Sequence, residues 1–381
     1  MNFRSYEIKD ICKIKSGKRL PKGTDFSEKP TRHKYIRARD IKNGKIDGSD
    51  LGYISEETQK KIERYIVNTN DIIITIAGTI GEVALVSKKF DGVNLTENAV
   101  RLTEFSKDVC PEFLAYILKS PERKEYMEQV AGGSAQPKLG IYKIEAIKVD
   151  LPDVQIQHKI ADILSAYDNL IENNQKQIKL LEEAAQRLYK EWFVDLRFPG
   201  HENTKIVDGV PEGWRRGLLQ ELIDVNYGKD HKKAPDDGNI PVYGSGGLMR
   251  KCNKSLFSGE AVLIPRKGSL NNIMYVDETF WTVDTMFYAT MKQPHTAVFV
   301  YFFVKAFDMY SMNIGAAVPS MTTKILDAMD VVIPDKETLE KFDKRAKTYF
   351  NKIKTLQGQN ERLETARDLL LPKLMNGKVE V

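Results

Sequence analysis

The chain has 381 residues, of which 41% are hydrophobic and 29% are charged, and its net charge at pH 7 is +5. This composition is ordinary for a soluble globular protein, and the length predicts two or three domains. The scattered cysteines and histidines argue against a metal site, and the lack of a long apolar run or apolar N-terminal segment argues against membrane contact, so we expect a cytoplasmic protein.

The first predicted feature along the chain is a basic segment. Residues 1–45 contain fourteen Lys or Arg against five Asp or Glu. Arg37 and Arg39 fall on one side of a predicted extended segment, which would let both side chains reach into a groove. We therefore predict a DNA-binding surface that includes Lys18, Arg19, Lys22, Arg37 and Arg39. For a basic segment taken alone, a solvated charged face is the alternative.

Two strands joined by a glycine turn follow the basic segment. Residues 71–76 are rich in isoleucine, which is typical of a buried strand, and residues 82–86 predict a second strand. In the turn between them, glycine would allow a backbone N–H to approach a phosphate, and Thr79 could donate as well. A turn that only connects the strands is an equally good interpretation.

A short helix is predicted over residues 111–124, because a proline start is followed by apolar residues at helical spacing. The glycine-rich segment 132–138 then interrupts the chain. Its residues Gln136 and Lys138 are candidates for contact with base edges or phosphates.

From Asp153 the apolar spacing changes to that of a long helix. Ile160, Ile163, Tyr167, Leu170, Asn174, Gln177, Leu181, Ala184 and Leu188 alternate steps of three and four, which predicts a coiled-coil seam. Asp153 is placed to cap the first turn. A second seam contains Phe342, Ala346, Tyr349, Ile353, Leu356, Asn360, Leu363 and Leu370. We predict that the two helices pair antiparallel, the alternative being that each packs only on its own domain.

The second half of the chain repeats the first half with an offset of 182 residues. The offset matches Pro152-Asp153 to Pro334-Asp335 and Gly133 to Gly315, and it also relates the two helices. Residues 196–215 are rich in Pro and Gly and connect the copies. A duplicated unit of this length implies a molecule with pseudo-two-fold symmetry, which would suit a target with two parts.

The second copy carries its own basic residues at corresponding places. Residues 229–267 hold eight Lys or Arg and four Asp or Glu. The candidate DNA-binding residues in this copy are Lys229, Lys232, Tyr243, Ser245, Arg266, Lys267 and Ser269. The scaffold is shared while these side chains differ, as expected for two domains that read different sequences, although neutral drift of a loop would look similar.

These patterns predict an α+β fold with two α/β domains separated by a long antiparallel two-helix coiled coil. The predicted boundaries are residues 1–152 and 199–334 for the domains and residues 153–198 and 335–381 for the helices. Signals of catalysis are mostly absent. The glycine-rich segment 244–247 does not open a helix in a βαβ unit, and no Asn-Pro-Pro-Tyr or Asp-Pro-Pro-Tyr stretch is present.

The chain resembles the specificity subunit of Type I restriction-modification systems over essentially its full length. The most specific segments are Leu188-Tyr189-Lys190-Glu191-Trp192-Phe193-Val194-Asp195, Val210-Pro211-Glu212-Gly213-Trp214 and Leu370-Leu371-Pro372-Lys373-Leu374-Met375-Asn376-Gly377. The resemblance implies two target recognition domains that each read half of a split DNA site, and two helices that hold modification subunits. One departure is that the second copy lacks a glutamine at the position of Gln136.

The resemblance also implies that this chain has no catalytic centre and binds no cofactor. Two methyltransferase subunits that use S-adenosylmethionine, and a restriction subunit driven by ATP with Mg²⁺, would supply the chemistry. Ile160, Tyr167, Leu181, Leu188, Phe342, Tyr349, Leu363 and Leu370 would form the helix seam. Two alternatives remain at this point: a self-sufficient methyltransferase or nuclease with an unrecognised active site, and an architectural coiled-coil DNA-binding protein.

Overall fold

The computed structural model describes residues 2–132, 137–312, 320–379 and 381. Two compact units are distinguished, the first made of residues 1–171 with 361–381 and the second of residues 172–360. Among the described residues, no helix combines the length and apolar character that a membrane span requires.

The first unit contains eleven strands and five short helices among its described residues. The strands are β1 Arg4–Glu7, β2 Lys13–Ser16, β3 His33–Ile36, β4 Ile41–Lys42, β5 Lys45–Ile46, β6 Gly52–Ile54, β7 Ile72–Thr75, β8 Val83–Leu85, β9 Asn94–Leu95, β10 Ala99–Thr103 and β11 Lys148–Leu151. The helices are α1 Ile8–Ile11, α2 Glu56–Lys61, α3 Pro111–Lys119, α4 Pro121–Val130 and α5 Ile141–Glu145, and the long helix α6, Val154–Tyr189, begins here.

An antiparallel sheet in the order β2-β10-β7-β8 forms the centre of this unit. Strand β7 is buried on both faces, as its run of isoleucines predicts. Because successive side chains point to opposite faces, Ile72 and Ile74 pack with Phe113 of α3, while Ile73 packs into a separate core with Ile36 and Leu95. The first and last strands of the unit along the chain, β1 and β11, pair with each other, so α6 begins beside the N-terminal strand.

The second unit repeats this architecture with longer strands. They are β12 Ile206–Val207, β13 Val210–Pro211, β14 Arg215–Leu218, β15 Ile223–Tyr227, β16 Ile240–Gly244, β17 Gly247–Cys252, β18 Phe257–Pro265, β19 Met274–Thr282, β20 Met286–Met291 and β21 Asp330–Ile333. The helices are α7 Ala297–Lys305 and α8 Thr323–Asp327, followed by the long helix α9, Lys336–Met375. The sheet order β15-β20-β18-β19 corresponds to β2-β10-β7-β8, and β14 pairs with β21 as β1 pairs with β11.

Both long helices begin at the predicted aspartates. The N–H of Gln155 donates to the Asp153 carboxylate at 3.0 Å, and the N–H of Thr338 donates to the Asp335 carboxylate at 2.9 Å. The indole N–H of Trp214 also donates to Asp335, at 2.9 Å. These contacts satisfy N–H groups that have no partner within the helix, so the predicted cap at Asp153 is confirmed.

The two helices pair antiparallel within each unit. In the second unit, the side-chain amide of Asn174 donates to that of Asn360 at 2.9 Å, and the rings of Tyr189 and Phe342 lie 6.3 Å apart. As the residue number on α6 increases, the number of the contacting residue on α9 decreases, so the two helices are antiparallel. In the first unit, Ile160 shares a core with Leu374, and further along α6 Asp168 meets Arg367 at 2.6 Å.

The predicted seam residues are buried to different degrees. Ile160 and Phe342 are fully buried, whereas Tyr167, Leu181, Leu188, Tyr349, Leu363 and Leu370 are half-buried. On α9 the predicted positions Phe342, Ala346, Ile353, Leu356 and Asn360 are buried, as are Thr338, Leu339, Asp343 and Leu374.

On α6, three predicted positions, Ile163, Leu170 and Ala184, are wrong by one residue. Leu170 is 52% exposed and Ile171 is buried, and the pattern of burial places Leu164 and Ala185 in the seam instead of Ile163 and Ala184. Both spacings offer apolar residues at most positions, so periodicity alone did not separate them. Ile178 beside Gln177 was the signal for the observed spacing, because a seam favours the isoleucine.

Candidate nucleic-acid interface

In the first unit, the basic loop after β2 is held against the start of β10. The N–H of Gly17 donates to the Ala99 carbonyl at 3.1 Å, and the N–H of Lys18 donates to the Leu95 carbonyl at 2.8 Å. A Cβ at Gly17 would overlap the carbonyl of Thr96, so only glycine allows this approach. The contact places the exposed side chain of Lys18 at one end of the central sheet.

Thr79 and Lys138 lie at the same end of the sheet. The N–H of Ile76 donates to the Asn98 carbonyl at 2.8 Å, and the N–H of Leu139 donates to the Ile76 carbonyl at 2.9 Å. Thr79 and Lys138 are both exposed. We call residues 17–22, 76–79, 96–98 and 138 the first sheet end. Gln136, the other candidate of this loop, lies outside the described residues.

The other basic side chains of the first sheet end differ in their partners. Arg19 is exposed and pairs with Glu97 at 2.5 Å, while the ammonium group of Lys18 lies 5.7 Å from the centre of the Tyr65 ring. Lys22 is exposed. The hydroxyl of Tyr35 donates to the Lys18 carbonyl at 2.6 Å, and burial raises the pKa of Tyr35 to about 12, so this hydroxyl stays a donor at neutral pH.

The prediction that Arg37 and Arg39 share one side of an extended segment is wrong. Strand β3 ends at Ile36, and residues 38–40 form a 3₁₀ turn. Asp40 stabilises this turn, because its buried carboxylate accepts the backbone N–H of Arg37 at 2.8 Å and also pairs with the Arg37 guanidinium at 2.8 Å.

The two arginines consequently have different environments. The side chain of Arg37 is 19% exposed and also donates to the carbonyl of Asp50. The side chain of Arg39 is 66% exposed and lies 3.2 Å from the Asp50 carboxylate. Arg37 is therefore held within the fold, whereas most of the Arg39 side chain is exposed to solvent. In the sequence, the position of Asp40 three residues after Arg37 indicated this turn.

The second unit builds its sheet end in the same way. The N–H of Gly228 donates to the Met286 carbonyl at 3.0 Å, and the N–H of Lys229 donates to the Thr282 carbonyl at 2.9 Å. A Cβ at Gly228 would overlap the carbonyl of Val283, as one at Gly17 would overlap that of Thr96. The Lys229 carbonyl accepts the indole N–H of Trp281 at 3.1 Å, just as that of Lys18 accepts a tyrosine hydroxyl. The repeat thus extends to individual hydrogen bonds.

Other predicted residues of the second unit gather at this end. The N–H groups of Arg266 and Lys267 donate to the Thr285 carbonyl at 2.8 and 3.2 Å. The side-chain amide of Asn272 donates to the Ser245 carbonyl at 2.9 Å, which joins the β16–β17 hairpin to the turn that contains Ser269. We call residues 228–229, 244–249, 266–272 and 283–285 the second sheet end. Lys229, Lys267 and Ser269 are exposed in it.

Three predicted residues of the second unit have more specific environments. The Tyr243 hydroxyl donates to Glu278 at 2.5 Å, and burial together with this bond raises the pKa of Tyr243 well above its usual value. The Arg266 guanidinium lies 5.5 Å from the centre of the Tyr227 ring. Lys232 is exposed in a 3₁₀ turn, and its backbone N–H donates to the Asp230 carboxylate at 3.0 Å.

Sequence reasoning missed several exposed apolar and aromatic residues at the sheet ends. Leu248 and Met249 lie on the β16–β17 hairpin, and Tyr310 donates its hydroxyl to the Gly268 carbonyl at 3.1 Å. In the first unit, Tyr142 of α5 is 67% exposed. A Gly-Ser-Gly-Gly turn followed by Leu-Met was a signal, because glycine turns leave adjacent side chains in solvent.

Reactive groups are sparse in the part of the chain that the structure describes. No three His, Cys, Asp or Glu side chains there come together in a way that could hold a metal ion. Cys12, Cys110 and Cys252 are buried, and burial raises the pKa of Cys12 to about 12 and that of Cys110 to about 11. These two thiols are therefore protonated at neutral pH and are poor nucleophiles.

Comparisons with known proteins agree with one another. The family model "Type I restriction modification DNA specificity domain" matches residues 2–183 and again residues 211–365. The Type I restriction enzyme MjaIX specificity subunit of Methanocaldococcus jannaschii is 26% identical, over 86% of this chain and 82% of its own length. The HindI specificity subunit of Haemophilus influenzae is 22% identical, over 99% of this chain and 100% of its own length.

A solved structure shows the same fold. The S subunit of a Type I restriction-modification system from M. genitalium has a TM-score of 0.65 at 19% identity. The match covers 98% of this chain and 96% of that one.

Proposed function

We propose that this chain, which belongs to the Type I restriction modification DNA specificity domain family, is the DNA-reading subunit of a Type I restriction-modification complex. The observation that carries the proposal is the repeated sheet end. Each unit uses the same glycine and lysine backbone contacts to present exposed cations, Lys18 and Lys138 in one and Lys229 and Lys267 in the other. Exposed lysines bind DNA phosphates, and phosphate contacts position a protein on DNA.

The two units would read the two halves of a split target. Their backbone frames correspond, but the side chains differ: after the end of β3 the first unit has the exposed Arg39, whereas the β16–β17 hairpin of the second unit has Ser245 and Leu248. Base edges are distinguished by the chemistry of the side chains that face them. Equivalent frames with different side chains therefore favour two different half-sites.

The helices would carry the modification subunits, and we expect two of them. Leu170, Leu180 and Leu369 are more than half exposed on α6 and α9, outside the paired seam. These exposed apolar side chains are available for contact with a partner protein. In this proposal the chain binds no cofactor itself. The modification subunits use S-adenosylmethionine, and a restriction subunit uses ATP and Mg²⁺.

Exchange of one domain tests the proposal. Residues 1–151 are replaced by the corresponding domain of a relative that has a different target, and methylated bases are mapped in cells that also contain the modification subunit. We expect one half of the methylated sequence to change and the other half to stay the same. The reciprocal exchange of the second domain is the matched control, and a change in both halves from either exchange would contradict the modular reading.

A further inference from the structure

The tip of the β16–β17 hairpin presents two consecutive apolar side chains to solvent. Tyr243 pairs with Leu248 and Val242 pairs with Arg250, so Met249 is the extra residue of a β-bulge. In a regular strand, neighbouring side chains point to opposite faces. Here Leu248 is 57% exposed and Met249 is 53% exposed. The bulge therefore creates a small apolar surface, which we call the apolar tip.

The apolar tip belongs to the second sheet end. The hairpin turn is fixed there by the hydrogen bond from Asn272 to Ser245, and the Ser245 hydroxyl lies so close to Gly268 that a Cβ would meet it at 2.6 Å. Lys267 and Ser269 flank Gly268 and are exposed. An apolar surface beside exposed cations and hydroxyls complements a duplex, whose phosphates are anionic while its base edges include apolar groups.

The remainder of the hairpin is anchored in the unit. The Arg250 guanidinium donates to the carbonyls of His231 and Ala234 at 2.5 and 2.6 Å, and Val242 and Cys252 are fully buried. The apolar tip is thus exposed at the edge of the six-stranded sheet, in which β16 also pairs with β19 through Val242 and Tyr243. The turn, residues 244–247, extends beyond the pairing with β19 as a two-stranded hairpin, and a two-stranded β-ribbon fits the major groove of B-DNA.

We propose that Leu248 and Met249 contact the 5-methyl group of a thymine in the major groove of the half-site read by the second unit. This methyl is the apolar feature by which a major groove edge identifies thymine, and apolar side chains recognise it by contact. The inference rests on the proposed function, because it assigns a base-reading role within the same DNA interface. It adds a readout that needs no hydrogen bond.

Deoxyuridine provides the test, because it differs from thymidine only by lacking this methyl group. The target is first found by mapping methylated bases, and the full chain with its modification subunit is then titrated with duplexes that carry uracil at one thymine at a time. We expect one thymine of the second half-site to be sensitive, with binding weakened about fourfold, the effect of one buried methylene-sized group. In Leu248→Ala and Met249→Ala variants, thymine and uracil duplexes should bind equally.

Two controls separate this inference from the proposed function. Val207→Ala changes another exposed apolar residue of a hairpin and should keep the sensitivity to uracil. If the complex binds its target but no thymine is sensitive, if the variants keep the sensitivity, or if the second half-site contains no A·T pair, the apolar tip does not read a thymine methyl. If the complex does not distinguish its target from random DNA, the proposed function itself fails.

Discussion

At the scale of single residues, the proposed DNA interface depends on which cationic side chains already have partners within the fold. Lys18 and Lys229 hold equivalent positions because a glycine before each permits the same close backbone approach. Sequence alone predicted both lysines as DNA-binding candidates. It did not separate Arg37 from Arg39, because their difference arises from Asp40 and Asp50, which are brought near by a turn rather than by strand alternation.

Substitution of Arg37 should reduce stability, whereas substitution of Arg39 should affect DNA binding. Arg37→Ala removes the partner of the buried Asp40 carboxylate and should lower the free energy of unfolding by about 1–3 kcal/mol. Arg39→Ala should change stability by less than about 0.5 kcal/mol, since its side chain is exposed. If Arg39 reads a base edge, its loss should weaken specific binding by about 1–3 kcal/mol. Thermal unfolding and DNA titration check both variants, and equal loss of stability in both would contradict the assignment.

At the scale of elements, the long helices and the isoleucine strand followed directly from sequence periodicity. On α9 the spacing was predicted correctly at Phe342, Ala346, Ile353 and Leu356, because each of these buried residues stands between polar neighbours. On α6, adjacent apolar pairs such as Ile163-Leu164 and Leu170-Ile171 made two spacings possible. The parallel pairing of β3 with β9, and of β16 with β19, could not be predicted, because it joins segments that are distant in sequence.

The cap of α9 should make stability dependent on pH. Burial acts to raise the pKa of Asp335, but hydrogen bonds from Thr338 and Trp214 outweigh it, and the pKa lies below the ordinary value. The carboxylate therefore stabilises the fold fully above about pH 4, and this contribution is lost as the pH falls through the folded pKa. Asp335→Ala should cost about 0.5–2 kcal/mol at pH 7 and less at pH 3. Denaturant unfolding at both values checks this, and a cost independent of pH would contradict it.

The buried amide pair of α6 and α9 should show strong coupling. Asn360→Leu leaves the Asn174 amide buried without its partner and should cost about 1–3 kcal/mol. Replacing both residues by leucine removes the unpaired amide and should restore or exceed the original stability. A double-mutant cycle from urea unfolding measures the coupling, and additive effects would show that the two amides do not depend on each other.

At the scale of the whole molecule, the repeat and the paired helices predict a protein that positions other subunits. Composition and motifs predicted this organisation well, because a duplicated sequence with two heptad seams permits few folds. The environments of the candidate DNA-binding residues could not be predicted from sequence, because these residues lie in loops whose environment depends on contacts across the sheet end.

The isolated chain should transfer no methyl group and cleave no DNA. We expect incubation with S-adenosylmethionine and target DNA to give methylated product only after the modification subunit is added. Radiolabel incorporation measures this directly, with the modification subunit alone as the matched control. Methyl transfer by the purified chain without its partner would identify it as an enzyme.

The buried amide pair also influences which helices can associate between molecules. The offset of 182 residues matches Asn360 to Ile178 and Asn174 to Leu356, so the pair is not symmetric under the repeat. If α6 of one molecule paired antiparallel with α6 of another in the same register, each Asn174 would face an isoleucine, and two amides would be buried unsatisfied. Two such losses, at about 1–3 kcal/mol each, disfavour association of identical helices. A single asparagine pair thus favours pairing of α6 with α9 of the same chain over exchange of helices with a neighbouring molecule.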